Sequence, residues 1–134
     1  MSKKRKKPTR SKLVKKLDIV FSQYVRMSNA NSQGVCTCVT CGKQGYWKSD
    51  GIQAGHFMSR RHFSTRWDES NVLPQCIKCN MYTQGEQYKY SLHLGVATSD
   101  LLLKKSREIV KFSTDELEDM IKKYEDLVKM YNYA

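Results

Sequence analysis

Cys38-Val39-Thr40-Cys41 and Cys76-Ile77-Lys78-Cys79-Asn80 bracket the stretch whose reading decides the fold. A Cys-x-x-Cys turn presents two thiolates at the separation that one tetrahedral zinc requires, and two such turns fill its shell. Four cysteine ligands leave no open position, so this zinc supports structure and performs no chemistry. Gly42 follows Cys41 and suits the tight bend of a knuckle. The segment between the turns is longer than in common zinc ribbons and therefore carries structure of its own. Cys36 is the fifth cysteine, either a bystander or a competitor of Cys38. An odd count in a reducing compartment argues against a disulfide framework.

Inside the brackets lie Ala54-Gly55-His56-Phe57 and Asn71-Val72-Leu73-Pro74. Ile52 to Met58 reads as a strand. Asn71 to Gln75 reads as a second, at an edge because Pro74 lacks an amide hydrogen. Ser59 to Ser70 is polar and aperiodic and reads as a loop. A helix is expected from Asn80 to about Leu94, weakened by Gly85, with Tyr82, Tyr88 and Leu92 facing inward. A hairpin followed by a helix brings a histidine on the first strand opposite the helix start. Neutral imidazole at His56 can take a proton from water, and an oxygen of Asn80 suits a hard divalent cation at a phosphate. Asn71 is placed to hold the hairpin and orient His56. A lone histidine is more often structural; it is the interleaving with the zinc turns that gives this set its meaning.

Outward from that core, Leu13, Val14, Leu17, Val20, Phe21, Tyr24 and Val25 recur on one helical face, and Ser11 is the predicted N-cap. The helix is expected to end near Met27, before the turn-like run 28–34. On the C-terminal side, Gly95 ends one helix, and Thr98 or Ser99 is expected to cap a short one through Leu101, Leu102, Leu103 and Ile109. Ser113 and Glu116 have capping-box spacing, and Leu117, Ile121, Tyr124, Val128 and Tyr131 follow as an apolar stripe.

The 134 residues carry 24 Lys and Arg against 13 Asp and Glu, a net charge of +11. A small chain this basic points to a polyanionic partner, with nucleic acid ahead of a merely solvated surface. Residues 1–16 hold nine cations and no acid. Residues 1–10 read as a disordered basic arm: a nucleic-acid tether, a localisation signal or a solubilising tail. No apolar run spans a membrane and no secretory signal is apparent, so a soluble, cytoplasmic protein is expected. The expected fold is α+β in one domain over residues 11–134. A zinc-stapled core occupies 35–95, with an N-terminal helix before it and a helical extension over 98–134.

The pattern of zinc turns, His56, Asn71 and Asn80 resembles the HNH, or ββα-metal (His-Me finger), nuclease superfamily. The Cys-x-x-Cys-Asn form is similar to the zinc site of phage endonuclease VII. Closer still is the phage NinG/Rap recombination family. That resemblance is carried by Lys16-Leu17-Asp18, Phe21-Ser22-Gln23-Tyr24-Val25-Arg26, the two zinc turns, Ala54-Gly55-His56-Phe57 and Arg66-Trp67-Asp68-Glu69-Ser70-Asn71, with Gln75, Gly85 and Tyr88. It covers about residues 13–95. The resemblance implies a ββα-metal core in which His56 is the general base, Asn71 stabilises the hairpin and Asn80 binds a catalytic Mg²⁺ or Mn²⁺. It implies cleavage of branched recombination intermediates, such as Holliday junctions and D-loops, to 5′-phosphate and 3′-hydroxyl ends. If phage-encoded, the protein would act in the host cytoplasm.

Many HNH nucleases carry an aspartate just before the histidine as a second metal ligand; Gly55 stands there, and neither Asp50 nor Asp68 can be placed as its substitute from sequence. Lys3, Lys4, Arg5, Lys6 and Lys7 in the arm and Arg60, Arg61 and Arg66 between base and hairpin return are the candidate DNA contacts. A resolvase cuts two strands related by near two-fold symmetry, so a homodimer is expected, formed through the apolar stripe of the first or the last helix. The alternatives are an HNH endonuclease that nicks ordinary duplex and a non-catalytic zinc module that binds DNA in recombination.

Overall fold

The computed structural model describes residues 7–133. Helix α1 spans Arg10–Ser28. Its N-cap is Thr9 rather than Ser11: the Thr9 hydroxyl accepts the Lys12 amide hydrogen at 3.3 Å, so the helix starts before Ser11. Two small antiparallel sheets follow. Strand β1 (Val35–Thr37) pairs with β2 (Gln44–Tyr46), and the first cysteine turn is their connection. Strand β3 (Ile52–His56) pairs with β4 (Val72–Cys76), with Ile52 opposite Cys76 and His56 opposite Val72. In a two-stranded sheet both strands are edges, which is why Pro74 is tolerated.

The connection between β3 and β4, expected as an unbroken loop, contains helix α2 (Phe63–Arg66) and a 3₁₀ turn over Glu69–Asn71. After β4 the chain does not enter an α-helix at Asn80. Lys78–Tyr82 form one wide π-helical turn. Gln84, Gly85 and Glu86 then all have positive φ, which no right-handed helix continues through. Helix α3 starts only at Gln87 and ends at Leu94. The break shifts the helical face: Tyr90 is fully buried, while the expected inward residues Tyr82, Tyr88 and Leu92 are exposed. Helix α4 (Val96–Ser106) follows with Gly95, not Thr98 or Ser99, at its N-cap, and of its leucines Leu102 is buried while Leu101 and Leu103 are exposed. Ile109 is fully exposed. Helix α5 (Thr114–Val128) opens with the capping box read from sequence, Ser113 and Glu116 exchanging bonds of 3.1 and 3.2 Å.

The main core lies between α1 and α5. Leu13, Leu17, Val20, Phe21 and Val25 pack against Leu117, Ile121 and Tyr124, with Trp67 and Val72 closing one end. Phe21 and Tyr124 meet edge to face at 4.9 Å. Burial of side chains of this size contributes roughly 1.5–3 kcal/mol each. The two apolar stripes expected to leave a dimer face therefore cover each other. Each helix offers one stripe, and pairing of the two satisfies both within one chain. A homodimer would have to use another surface. Behind β3, Phe57, Tyr90 and Leu102 form a second cluster that attaches α3 and α4. Among the described residues no helix is long and apolar enough to cross a membrane.

Candidate functional site

The β1–β2 connection and the end of β4 bring Cys38, Cys41, Cys76 and Cys79 together, with all four sulfurs within 4.8 Å of one another. Tetrahedral bonds of about 2.3 Å place sulfurs roughly 3.8 Å apart. The Cys41 and Cys76 sulfurs are 3.7 Å apart. The cluster can hold a metal ion, and its four sulfurs suit a structural zinc. As free thiols the four are unequal. Burial pushes Cys79 up to about 12. At Cys38 burial is outweighed by hydrogen bonds from the Thr40 hydroxyl and nearby backbone amides, which bring it to about 6. Cys36 is buried outside the cluster, its thiol donating to the Arg26 carbonyl at 3.1 Å.

The protein also has an open cleft of about 870 Å³. His56 and Asn80 both line it, together with Asp18, Gln53, Arg60 and His62. His56 is the last residue of β3, and its Nε2 lies 2.9 Å from the Arg66 carbonyl oxygen. A carbonyl only accepts, so Nε2 carries the proton and Nδ1 is the basic nitrogen. Burial holds the imidazole below the ordinary histidine range. The Arg60 and Arg66 charges act in the same direction, while the hydrogen bond to Arg66 and the Asp18 charge oppose it. The surroundings therefore favour the neutral ring.

Asn71 is fully buried. Its amide oxygen accepts the Met58 amide hydrogen at 2.7 Å, and its nitrogen donates to the carbonyls of Met58 and Thr65, both at 3.0 Å. It thus ties the two arms of the excursion that carries the Arg66 carbonyl. Asn80 sits in the π turn, next to Cys79, and its Nδ2 donates to Gln53 Oε1 at 2.8 Å. That bond fixes the orientation of the amide.

The family model for the bacteriophage lambda NinG protein matches residues 1–133. The chain belongs to the NinG family. No curated protein and no solved structure matches it.

In this NinG-family chain the position before the histidine has no room for a side chain. A Cβ on Gly55 would overlap Gln75 Oε1 and lie 2.9 Å from Gln75 Cβ. Gln75 is itself fully buried, and its Nε2 donates to Thr40 Oγ1 at 3.0 Å and to the Gly85 carbonyl at 2.9 Å. Gly55→Ala should therefore destabilise the fold by about 1–3 kcal/mol through overpacking. Denaturant unfolding measures it, and wild-type stability would show that Gln75 yields without cost. The alternative acids lie elsewhere. Asp50 accepts the Tyr46 amide hydrogen at 2.8 Å in the β2–β3 turn, and Asp68 pairs with Lys105 at 2.6 Å. The carboxylate on the cleft lining is Asp18.

Of the candidate DNA contacts, Arg60 lines the cleft and is exposed, and Arg61 is exposed beside it. Arg66 is not a free phosphate clamp. Its guanidinium makes a fork to Asp18, at 3.0 and 2.5 Å, and is largely buried against Phe63 and Trp67. Lys7 is exposed, and Lys3, Lys4, Arg5 and Lys6 lie outside the described residues. Sequence alone assigns Asp18 no role in the site. The available signal was charge: Asp18 is the only acid before Asp50, in an otherwise basic helix. Nothing in the sequence singles out Gln53 or the packing of Gln75.

Proposed function

We propose that this protein is a metal-dependent, structure-selective DNA endonuclease acting on branched recombination intermediates. In this reading β3, β4 and the turn from Lys78 form the catalytic unit of a ββα-metal (HNH) nuclease. The observation that carries it is His56 on the cleft wall, its Nε2 2.9 Å from the Arg66 carbonyl, with Asn80 on the same lining.

His56 Nδ1 takes a proton from water as that water attacks phosphorus. The Arg66 carbonyl steadies the imidazolium that results, and Asn71 keeps the excursion bearing that carbonyl in place. Arg60 is placed to meet a phosphate flanking the cut. Asn80 would offer an amide oxygen to Mg²⁺ or Mn²⁺. When bound, such an ion would stabilise negative charge on the phosphate and on the leaving 3′ oxygen.

Net charge supports the DNA partner, and family membership supports a phage context. Branch selection would come from geometry, since phosphate contacts carry no sequence information. Competition among labelled four-way junctions, flaps and linear duplex tests this. Preferential cutting of branches supports the reading, and equal cutting of duplex replaces it with a simple nicking endonuclease. One observation favours a non-catalytic DNA-binding role: the cleft's carboxylate, Asp18, is already committed to Arg66 and Trp67. A preparation that binds junctions but cleaves nothing would establish that role.

The basic arm is proposed as the tether. Helix α1 begins at Arg10 with Thr9 as its cap, so the arm ends at Pro8 rather than Arg10, and deleting residues 2–8 removes Lys3, Lys4, Arg5, Lys6 and Lys7 while leaving the helix start intact. The log–log salt dependence of duplex binding should become shallower by about 0.9 for each phosphate that the shortened chain no longer neutralises. An unchanged slope would show that the arm does not touch DNA.

A further inference from the structure

Asp18 stands out as a largely buried acid on a basic helix, bound by the residues of one loop. Its side chain is 17% exposed and that of Arg66 is 16% exposed. Oδ1 accepts from Arg66 Nε and from Trp67 Nε1, both at 3.0 Å, and Oδ2 accepts from Arg66 NH2 at 2.5 Å. Arg60 approaches the same oxygen at 3.9 Å. The other arm of the Arg66 guanidinium donates to the Arg60 carbonyl at 2.8 Å. One carboxylate thus gathers residues from before α2, from its last position and from just after it. The backbone carbonyl of the same Arg66 accepts from His56 Nε2.

We propose that Asp18 is the positioning residue for His56: by clamping Arg66 and Trp67 it fixes the carbonyl that selects the Nε2–H tautomer and presents Nδ1 to the cleft. The inference rests on the reading of His56 as the base, and it adds to that reading a residue outside the hairpin. A helical turn of four residues has little of its own to hold a carbonyl in place. A bidentate, largely desolvated Arg–carboxylate fork with a third hydrogen bond from an indole does. Without it the carbonyl is free to tilt, and only the modest intrinsic preference of imidazole for Nε2–H remains, so the Nδ1–H form becomes populated. Metal-ligating histidines are commonly oriented by partners of this kind, whose loss typically costs about 10–100-fold in affinity or activity. Here a proton acceptor is oriented the same way, one step removed.

The test is the tautomer of His56, read by ¹⁵N NMR on histidine-labelled protein without DNA. The chain has three histidines, and the His56→Gln spectrum identifies the signal of interest. Wild type should show a single Nε2–H form. Asp18→Asn removes the charge at nearly constant shape and should give a mixture of the two tautomers. It should also lower the cleavage rate by roughly 10–100-fold without weakening DNA binding, because Arg60 is released and remains available to phosphate. A folded Asp18→Asn protein with the wild-type tautomer would overturn the proposal. Should that variant fail to fold, Arg66→Lys keeps the positive charge and loses the fork; the same mixture is expected, and an unchanged tautomer is equally fatal. Full cleavage by His56→Ala would remove His56 as the base, but the NMR result would still decide whether Asp18 positions the ring.

Discussion

Replacing His56 with alanine should lower DNA cleavage by roughly 10²–10⁴-fold, the usual contribution of a positioned general base. The imidazole makes one hydrogen bond among the described residues, to the Arg66 carbonyl, and none to Arg60 or Arg61. Affinity for a four-way junction should therefore stay near wild type while the rate collapses. The pH dependence carries a second signature. Burial holds the His56 pKa below the ordinary histidine value, so the neutral, basic form extends to lower pH than for a free imidazole. Activity limited by this base should persist into mildly acidic solution and fall only as pH drops through the lowered pKa. Single-turnover rates across that range measure it. A fully active His56→Ala protein would take this residue out of the mechanism.

Removal of the metal from the cysteine cluster should unfold the middle of the chain. Cys38, Cys76 and Cys79 are buried and pack with Cys36 and Ile52, with Ala30 and Trp47 at the margin, a small core with little apolar area of its own. Structural zinc in small peptides binds with an apparent free energy of about 10–16 kcal/mol, much of it folding energy. The cluster also joins the β1–β2 connection to the end of β4, so its loss releases the turn that carries Asn80. Metal analysis should return about one zinc per chain. Chelation, or Cys79→Ser, should lower the melting temperature and reduce cleavage together. A zinc-free preparation with an unchanged melting curve would show that the four thiols need no metal.

What the sequence made legible followed from strong local chemistry. Two Cys-x-x-Cys turns announce a metal cluster because few other contexts require that spacing. The stripes of α1 and α5 and the Ser113–Glu116 capping box follow from helical period and backbone capping. Two failures have one cause. Helix onset at Asn80 and inward faces for Tyr82, Tyr88 and Leu92 assumed an uninterrupted helix. The chain instead widens to a π turn at the last zinc cysteine and crosses three residues of positive φ. Gly85 was a visible signal, but the positive φ of Gln84 and Glu86 was not. The stripe of α1 or of α5 was expected to face a second copy because pairing between helices distant in sequence leaves no local trace. The pairing of Arg66 with Asp18, 48 residues away, leaves no local trace either. At the candidate site, the residue types of the hairpin were readable, whereas the groups that orient them come from tertiary contacts.

Hydrolysis of phosphodiester bonds at the cleft bearing His56 and Asn80, with a divalent cation, is the central claim. Incubating the zinc-loaded protein with an end-labelled four-way junction, with Mg²⁺ or Mn²⁺ and with neither, tests it most directly. Cleavage is predicted only with the added cation, leaving 5′-phosphate and 3′-hydroxyl ends that ligase can reseal. Junction binding with no cleavage under any divalent cation would contradict it.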